Sequence, residues 1–181
     1  VLIDNEAAAY DLTIECLKMG HTKFAIFYDE YKEGYINQKR LQGIKKALGE
    51  WNVELDDDLV YFGSQSTLGG YHMMEEALAS GREFTNVFCF NDQIALGAMR
   101  AAEDNGKVIP DDVSICGFNN FWIAEWTRPQ ITTVGQPMYD IGAIATRMLI
   151  KMCEKEERET KTVFVPYEML MRNSVKNLKS E

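Results

Sequence analysis

Little in this chain points to catalysis, metal binding or a membrane. It carries two histidines, His21 and His72, set far apart with no HxxxH or HxH pattern, so no metal site is expected. Its four cysteines, Cys16, Cys89, Cys116 and Cys153, show neither CxxC nor CxH spacing. That speaks against a zinc site or a disulfide framework. Cys89 and Cys116 fall inside apolar runs and read as buried reduced thiols, which fits a cytoplasmic protein. No GxSxG elbow supplies a nucleophile. Gly69-Gly70 has no accompanying GK[ST] or GxGxxG and reads as a tight helix entry rather than a phosphate cradle. Asp56-Asp57-Asp58 lacks the spacing and terminal glutamate of a calcium loop and reads as a solvated turn. No apolar stretch approaches the length of a membrane span, and Val1-Leu2-Ile3 is far too short for a signal peptide. A basic excess is missing too. Nineteen Lys and Arg face 28 Asp and Glu, a formal charge of −9, and a surface of that sign repels the phosphates of nucleic acid. No cofactor is implied.

What is present is an ordered alternation of strand and helix patterns. With 181 residues, 46% of them hydrophobic, the chain is long enough for one sizeable core. Residues 5–19 have helical spacing and stop at Gly20. Short apolar strands are expected at 24–28, 59–62, 87–90, 113–116 and 131–134, with helices at 37–51, up to Ser80 after a Ser66 or Thr67 cap, at 93–104 and at 138–154. The last helix carries Ile141, Ile144, Ala145, Met148, Leu149 and Met152 on one broad apolar face. A charged turn at 155–161 leads to edge strands at 163–165 and 168–172 around Pro166, and the polar tail from Asn173 onward is expected to fray. This order argues for an α/β fold, a doubly wound parallel sheet with helices on both faces. The chain opens on a strand end feeding a helix, as expected of a piece of a longer protein.

The stretch 85–120 is the most informative. Two strands end on Asn91-Asp92 and Asn119-Asn120, with a helix between them, which places side-chain amides at the carboxyl ends of parallel strands. Ligands of open α/β sheets bind at that edge, and amides there serve a neutral polar ligand. No nucleophile or base accompanies them, so the feature reads as a binding site and not as an enzyme.

The pattern resembles the regulatory core of lac-repressor-type (LacI/GalR) transcription factors, which share a periplasmic-binding-protein-like type I fold. The matching segments are Asp4-Asn5, Gly20-His21, RLQG from Arg40, FNDQIALG from Phe90, IPDDVSICGFN from Ile109, PQITTV from Pro129, Gln136-Pro137 with Ile141-Gly142, and Arg172-Asn173-Ser174. They span nearly the whole chain in the family's order. The resemblance implies a two-lobed clamp on a small sugar-like effector, with operator DNA held by an N-terminal headpiece that lies outside this chain. It implies that residues 1–134 form the second, C-terminal lobe, that 135–160 cross over into a helix of the first lobe, and that 161–181 return to the second. The apolar face of that helix is then expected to be covered by self-association or another chain.

Residue by residue, the family's ligand-contacting arginine falls on Arg40. On charge patterning alone Arg40 reads as a solvated helix-face charge beside Lys39, Lys45 and Lys46. Asn91, which also suits an N-cap, and Asn119 match cleft positions, as does Gln136. Many relatives carry aspartate where this chain has Asn119, and the neutral amide argues against a cationic ligand. Gln65 stands where relatives often stack an aromatic ring; Phe62, Phe121 or Trp122 are the candidates to replace that ring. Met73, Met74, Leu96 and Met99 are candidates for a homodimer interface, with plain core as the alternative. An extracytoplasmic sugar-binding receptor of a transport system is the competing reading, since it shares the clamp.

Overall fold

The computed structural model describes residues 1–29, 34–154 and 162–179. The charged turn expected at 155–161 and most of the loop expected between Asp29 and Gly34 lie outside the described residues. The strands are β1 (Phe24–Asp29), β2 (Val60–Gly63), β3 (Asn86–Cys89), β4 (Ser114–Asn119), β5 (Thr132–Gly135) and β6 (Glu168–Leu170). They form one sheet in the order β2-β1-β3-β4-β5-β6, parallel throughout except that β6 runs antiparallel to β5.

The central strands read as continuous apolar runs because both faces of the sheet are covered. Every residue of β1, β3 and β5 is buried, whereas the edge strands β2 and β6 are only partly so. Alternation along each strand sorts side chains into two cores. Phe24, Ile26 and Tyr28, with Phe88, Phe90 and Phe118, pack under α1 (Asn5–Lys18) and α2 (Tyr35–Glu50). Phe27, Val87, Cys89 and Ile115 pack under α3 (Thr67–Ala79) and α4 (Asp92–Asp104). Side-chain caps start three of these helices: Asp4 receives the Ala7 N–H, Ser66 that of Gly69, and Asn91 that of Ile94. The paired helices approach closely at glycines. A Cβ on Gly43 would meet Glu6 O at 2.1 Å, and one on Gly97 would meet Thr67 O at 1.8 Å.

Several expectations need correction. The segments around Pro166 do not pair with each other. Phe164 forms a single parallel bridge to Leu2, while β6 pairs with β5 beyond Pro166, which has no N–H to offer a ladder. A short helix, α5 (Ile123–Trp126), occupies the connection after β4. The tail does not fray over the described residues. Ile115 N–H donates to Ser174 O at 2.9 Å, and Leu178 N–H donates to Met19 O at 2.8 Å, stitching the chain across the lower edge of the sheet. The cause is Ser174, fully buried, whose hydroxyl accepts from Thr132 N–H at 2.8 Å and donates to Ile115 O at 2.5 Å. His21 serves the same seam: its Nε2 is 2.9 Å from Lys176 O and its Nδ1 3.0 Å from the Thr85 hydroxyl. Burial holds this imidazole below its ordinary pKa. Cys16, Cys89 and Cys116 are buried free thiols, and Cys153 is exposed.

The helix α6 (Met138–Cys153) differs from the rest. None of its residues is buried, and Tyr139 and Leu149 are 85% and 61% exposed. Only its first half leans on the core, through Ile141 and Ile144.

Candidate functional site

A cleft of about 660 Å³ opens at the carboxyl edge of the sheet. Its floor is built from the ends of the parallel strands. Asp29 closes β1, Asn119 closes β4, and Gln136 follows β5, while α2 brings Asn37 and Arg40 underneath from one face. Asn37 and Arg40 sit one turn apart, so both point to the strand ends.

Arg40 is the hub. It is 5% exposed, and its Nε donates to Asn5 Oδ1 at 2.9 Å. Its Nη1 donates to Phe90 O, and its Nη2 donates to Asn119 Oδ1 at 3.3 Å. Desolvation pulls the guanidinium down to about 9, opposed by the charges of Asp29 and Asp92, and it stays protonated at neutral pH. Asn119 has φ +102° and so holds its side chain off a left-handed backbone that asparagine tolerates better than most residues. Its Oδ1 also accepts from Gln136 Nε2 at 2.5 Å. Arg40, Asn119 and Gln136 are therefore one hydrogen-bonded chain across three elements, and it leaves the Asn119 Nδ2 as a donor at the cleft. Asp29, 6% exposed, accepts from Asn37 Nδ2 at 2.6 Å.

Behind this floor, the buried carboxyl of Asp92 ties α4 to the neighbouring strands. Its Oδ2 accepts from Phe121 N–H and its Oδ1 from the Thr133 hydroxyl, each at 2.7 Å. Burial pushes it up to about 6, against those two bonds and the positive charges of Arg172 and Arg40. Gly117 is required beside it, since a Cβ there would meet Asp92 Oδ1 at 2.3 Å.

Of the residues singled out from the sequence, Arg40, Gln65, Asn119 and Gln136 line the cleft together. Asn91 does not. It is 1% exposed, its Oδ1 caps α4 by accepting from Ile94 N–H at 2.8 Å, and its Nδ2 has no partner among the described residues. Of the candidate rings, Phe121 lines the cleft, Phe62 packs edge-on against Tyr28, and Trp122 borders a separate hollow with Leu96. Met73, Met74 and Met99 are buried, because they lie on the faces of α3 and α4 that pack into the core; Leu96 is partly exposed. The reading from sequence missed Asp29, Tyr35 and Asn37. Two signals were available: Asp29 ends a strand just as Asn119 does, and Asn37 lies three residues before Arg40 on the same helix face.

The fold and the cleft together define an α/β domain with an open cleft at the carboxyl edge of a mostly parallel, doubly covered sheet. Residues 14–175 match the family described as "Periplasmic binding protein-like domain", and the chain belongs to that family. It is 35% identical over 176 residues to catabolite control protein A of Priestia megaterium, covering 97% of this chain and 53% of that protein. It is 32% identical to the transcriptional repressor PurR of Vibrio campbellii, covering 98% of this chain and 53% of that one. Among solved structures, the transcription regulator CcpA of Lactococcus lactis superposes with a TM-score of 0.89 at 34% identity, over 97% of this chain and 64% of that one. A LacI-family regulator of Enterococcus faecium, solved with bound ribose, superposes at 0.87 with 30% identity, over 98% and 66%. The expected resemblance to LacI/GalR effector domains thus holds, and these relatives are transcription regulators rather than enzymes. The chain spans about half the length of the curated relatives it matches.

Proposed function

We propose that this chain is the effector-sensing part of a bacterial DNA-binding transcription regulator, a repressor, that responds to a small sugar or related neutral metabolite. The observation that carries the reading is the Arg40–Asn119–Gln136 chain of hydrogen bonds at the carboxyl edge of the sheet. It presents fixed amide groups to a polar ligand, and among the described residues lining the cleft only Asp29 and Arg40 are charged. The relatives solved with sugars, one with ribose and one a CelR–cellobiose complex, support the ligand class.

In this reading residues 1–134 are the C-terminal lobe, 135–160 pass into the partner lobe, and 161–181 return. The uncovered apolar side of α6 supports that division. Effector binding between the lobes shifts their arrangement, and operator DNA is sensed through a separate headpiece. The protein acts as a homodimer in the cytoplasm. No helix among the described residues is long and apolar enough to cross a membrane, and the regulators named above favour this role over an extracytoplasmic receptor.

Thermal-shift and titration screening of the intact protein against neutral mono- and disaccharides tests the ligand class. A sugar that stabilises the protein and alters its retention of operator DNA in a gel shift supports the reading. Sugar binding with no effect on DNA binding points to the receptor alternative.

A further inference from the structure

We propose that Arg172 is a positioning residue for the cleft: by holding the side chain of Asn120 it fixes the direction in which Asn119 offers its amide to a ligand. The inference rests on the sugar-sensing reading above.

The corner after β4 has a demanding backbone. Asn119 and Asn120 are consecutive and both left-handed, with φ +102° and +52°. L residues enter that region reluctantly, asparagine less so than most, and such a pair persists where neighbouring groups hold it. Each residue of the corner has its own holder. Asn119 Oδ1 accepts from Arg40 Nη2 and Gln136 Nε2 at the cleft floor, and Phe121 N–H donates to Asp92. Between them, Asn120 Oδ1 accepts from Arg172 Nη2 at 2.8 Å, while its N–H reaches the Thr133 hydroxyl at a longer 3.4 Å. The bonds to Asn119 and Phe121 leave the backbone of Asn120 free to rotate between them; the bond from Arg172 does not.

Arg172 is itself firmly mounted. It stands just past β6, its side chain 12% exposed, and it does not line the cleft. Its N–H donates to the Thr132 hydroxyl at 2.9 Å and its Nη1 to Ile131 O at 2.9 Å, while Nη2 also donates to Glu125 Oε1 at 3.1 Å. The guanidinium is thus seated on the start of β5 and braced against α5. A charged donor bonds an amide oxygen more strongly than a neutral one does, and the planar fork lets one side chain serve several acceptors at once.

The effect on binding is preorganisation. Arg172 lies outside the cleft, so it acts through the fraction of molecules in which Asn119 Nδ2 is correctly turned. The apparent dissociation constant rises as the inverse of that fraction, and a corner set correctly in about a tenth of the molecules weakens binding about tenfold.

The test is a double-mutant cycle by isothermal titration of the intact protein with D-ribose, D-glucose and cellobiose. It uses wild type, Arg172→Met, Asn120→Gly and the double variant, with a thermal melt of each. For the sugar that binds wild type, Arg172→Met and Asn120→Gly are each expected to weaken binding about tenfold, and the double variant no further. The melts should behave differently. Arg172→Met lowers the midpoint in both backgrounds, since Ile131 O and Glu125 lose their donor whatever stands at position 120. Wild-type affinity in Arg172→Met overturns the proposal. So do affinity losses that multiply in the double variant, because that is what a purely structural arginine produces; the sugar-sensing reading survives either result. If none of the three sugars binds wild type, that reading fails and the proposal falls with it. Should Arg172→Met lose its cooperative melt, Asn120→Asp against Asn120→Gly decides with Arg172 in place. Aspartate keeps an acceptor for the arginine and must bind the sugar more tightly than the glycine variant; equal affinities overturn the proposal.

Discussion

Arg40 sits over the ring of Phe118, its Cζ 3.6 Å from the ring centroid, so the strand that ends on Asn119 also supplies the surface on which the cleft's arginine rests. A cation on an aromatic face is held by the ring quadrupole as well as by its hydrogen bonds. Arg40→Ala leaves Asn5, Phe90 O and Asn119 each short of a donor. The expected loss is about 3 kcal/mol, at roughly 1 kcal/mol for each acceptor stranded. Arg40→Lys keeps the charge but not the fork, and should recover less than half of that. Urea denaturation measures both. A wild-type midpoint for the alanine variant would show that Arg40 does not organise the floor.

Asp92 makes stability depend on pH in the direction opposite to a salt-bridged carboxylate. An aspartate ordinarily titrates at 3.8, and burial raises Asp92 to about 6 in the fold. Folding therefore takes up a proton between those values, and the contribution of this group is most favourable below about 3.8 and is lost as pH rises through about 6. The span corresponds to about 3 kcal/mol, at about 1.4 kcal/mol per unit. Asp92→Asn cannot accept from both Phe121 N–H and the Thr133 hydroxyl, so it should be less stable at every pH. Its diagnostic is the slope. Denaturation between pH 4 and 6 should show the wild-type decline flattened in the variant, and equal slopes would remove Asp92 as its source.

How much of this was legible in the chain varies by residue. Central strands announced themselves, because a strand buried on both faces must be apolar at every position, as Phe24 to Tyr28 are. The caps at Ser66 and Asn91 were legible from residue type and spacing. Arg40 was not: its helix-face neighbours are lysines, and only the family pattern placed it in the cleft. The antiparallel direction of β6 follows from the path of the chain back to β5, which no periodicity encodes. The tail misled for the same reason, since polar residues read as solvated until their tertiary partners are known. Asp29 was missed although it ends its strand as Asn119 does, because the polar, mixed-charge sequence that follows it reads as a solvated connection.

Two glycines should respond in opposite senses to the same substitution. A Cβ on Gly97 would come within 1.8 Å of Thr67 O and 2.7 Å of Tyr71 N, all rigid helix backbone. Gly97→Ala must push α4 away from α3 and should cost about 3 kcal/mol or more. Gly49, in the last turn of α2, has nothing within 4 Å of an added Cβ. Gly49→Ala should stabilise by roughly 0.5 kcal/mol through helix propensity and a less flexible unfolded chain. Thermal melts of the two variants side by side check the packing of α3 on α4 with an internal control.

The tail offers the sharpest separation between sequence composition and structure. Ser174 is fully buried; its hydroxyl accepts from Thr132 N–H at 2.8 Å and donates to Ile115 O at 2.5 Å, while Lys176 N–H donates to the Ser114 hydroxyl at 2.9 Å. Ser174→Ala removes both of its side-chain bonds and strands a backbone donor on β5 and an acceptor on β4. Each buried group so abandoned costs about 1–3 kcal/mol, so the variant should lose about 3 kcal/mol in all. Hydrogen exchange localises the effect, because the Thr132 amide loses its acceptor while the Ile115 amide keeps the Ser174 carbonyl. Exchange at Thr132 should therefore accelerate well before exchange at Phe88, deep in the sheet between β1 and β4. A uniform acceleration across all three would mean that the tail is part of one cooperative unit with the sheet, and no change at Thr132 would mean that the hydroxyl does not hold the seam.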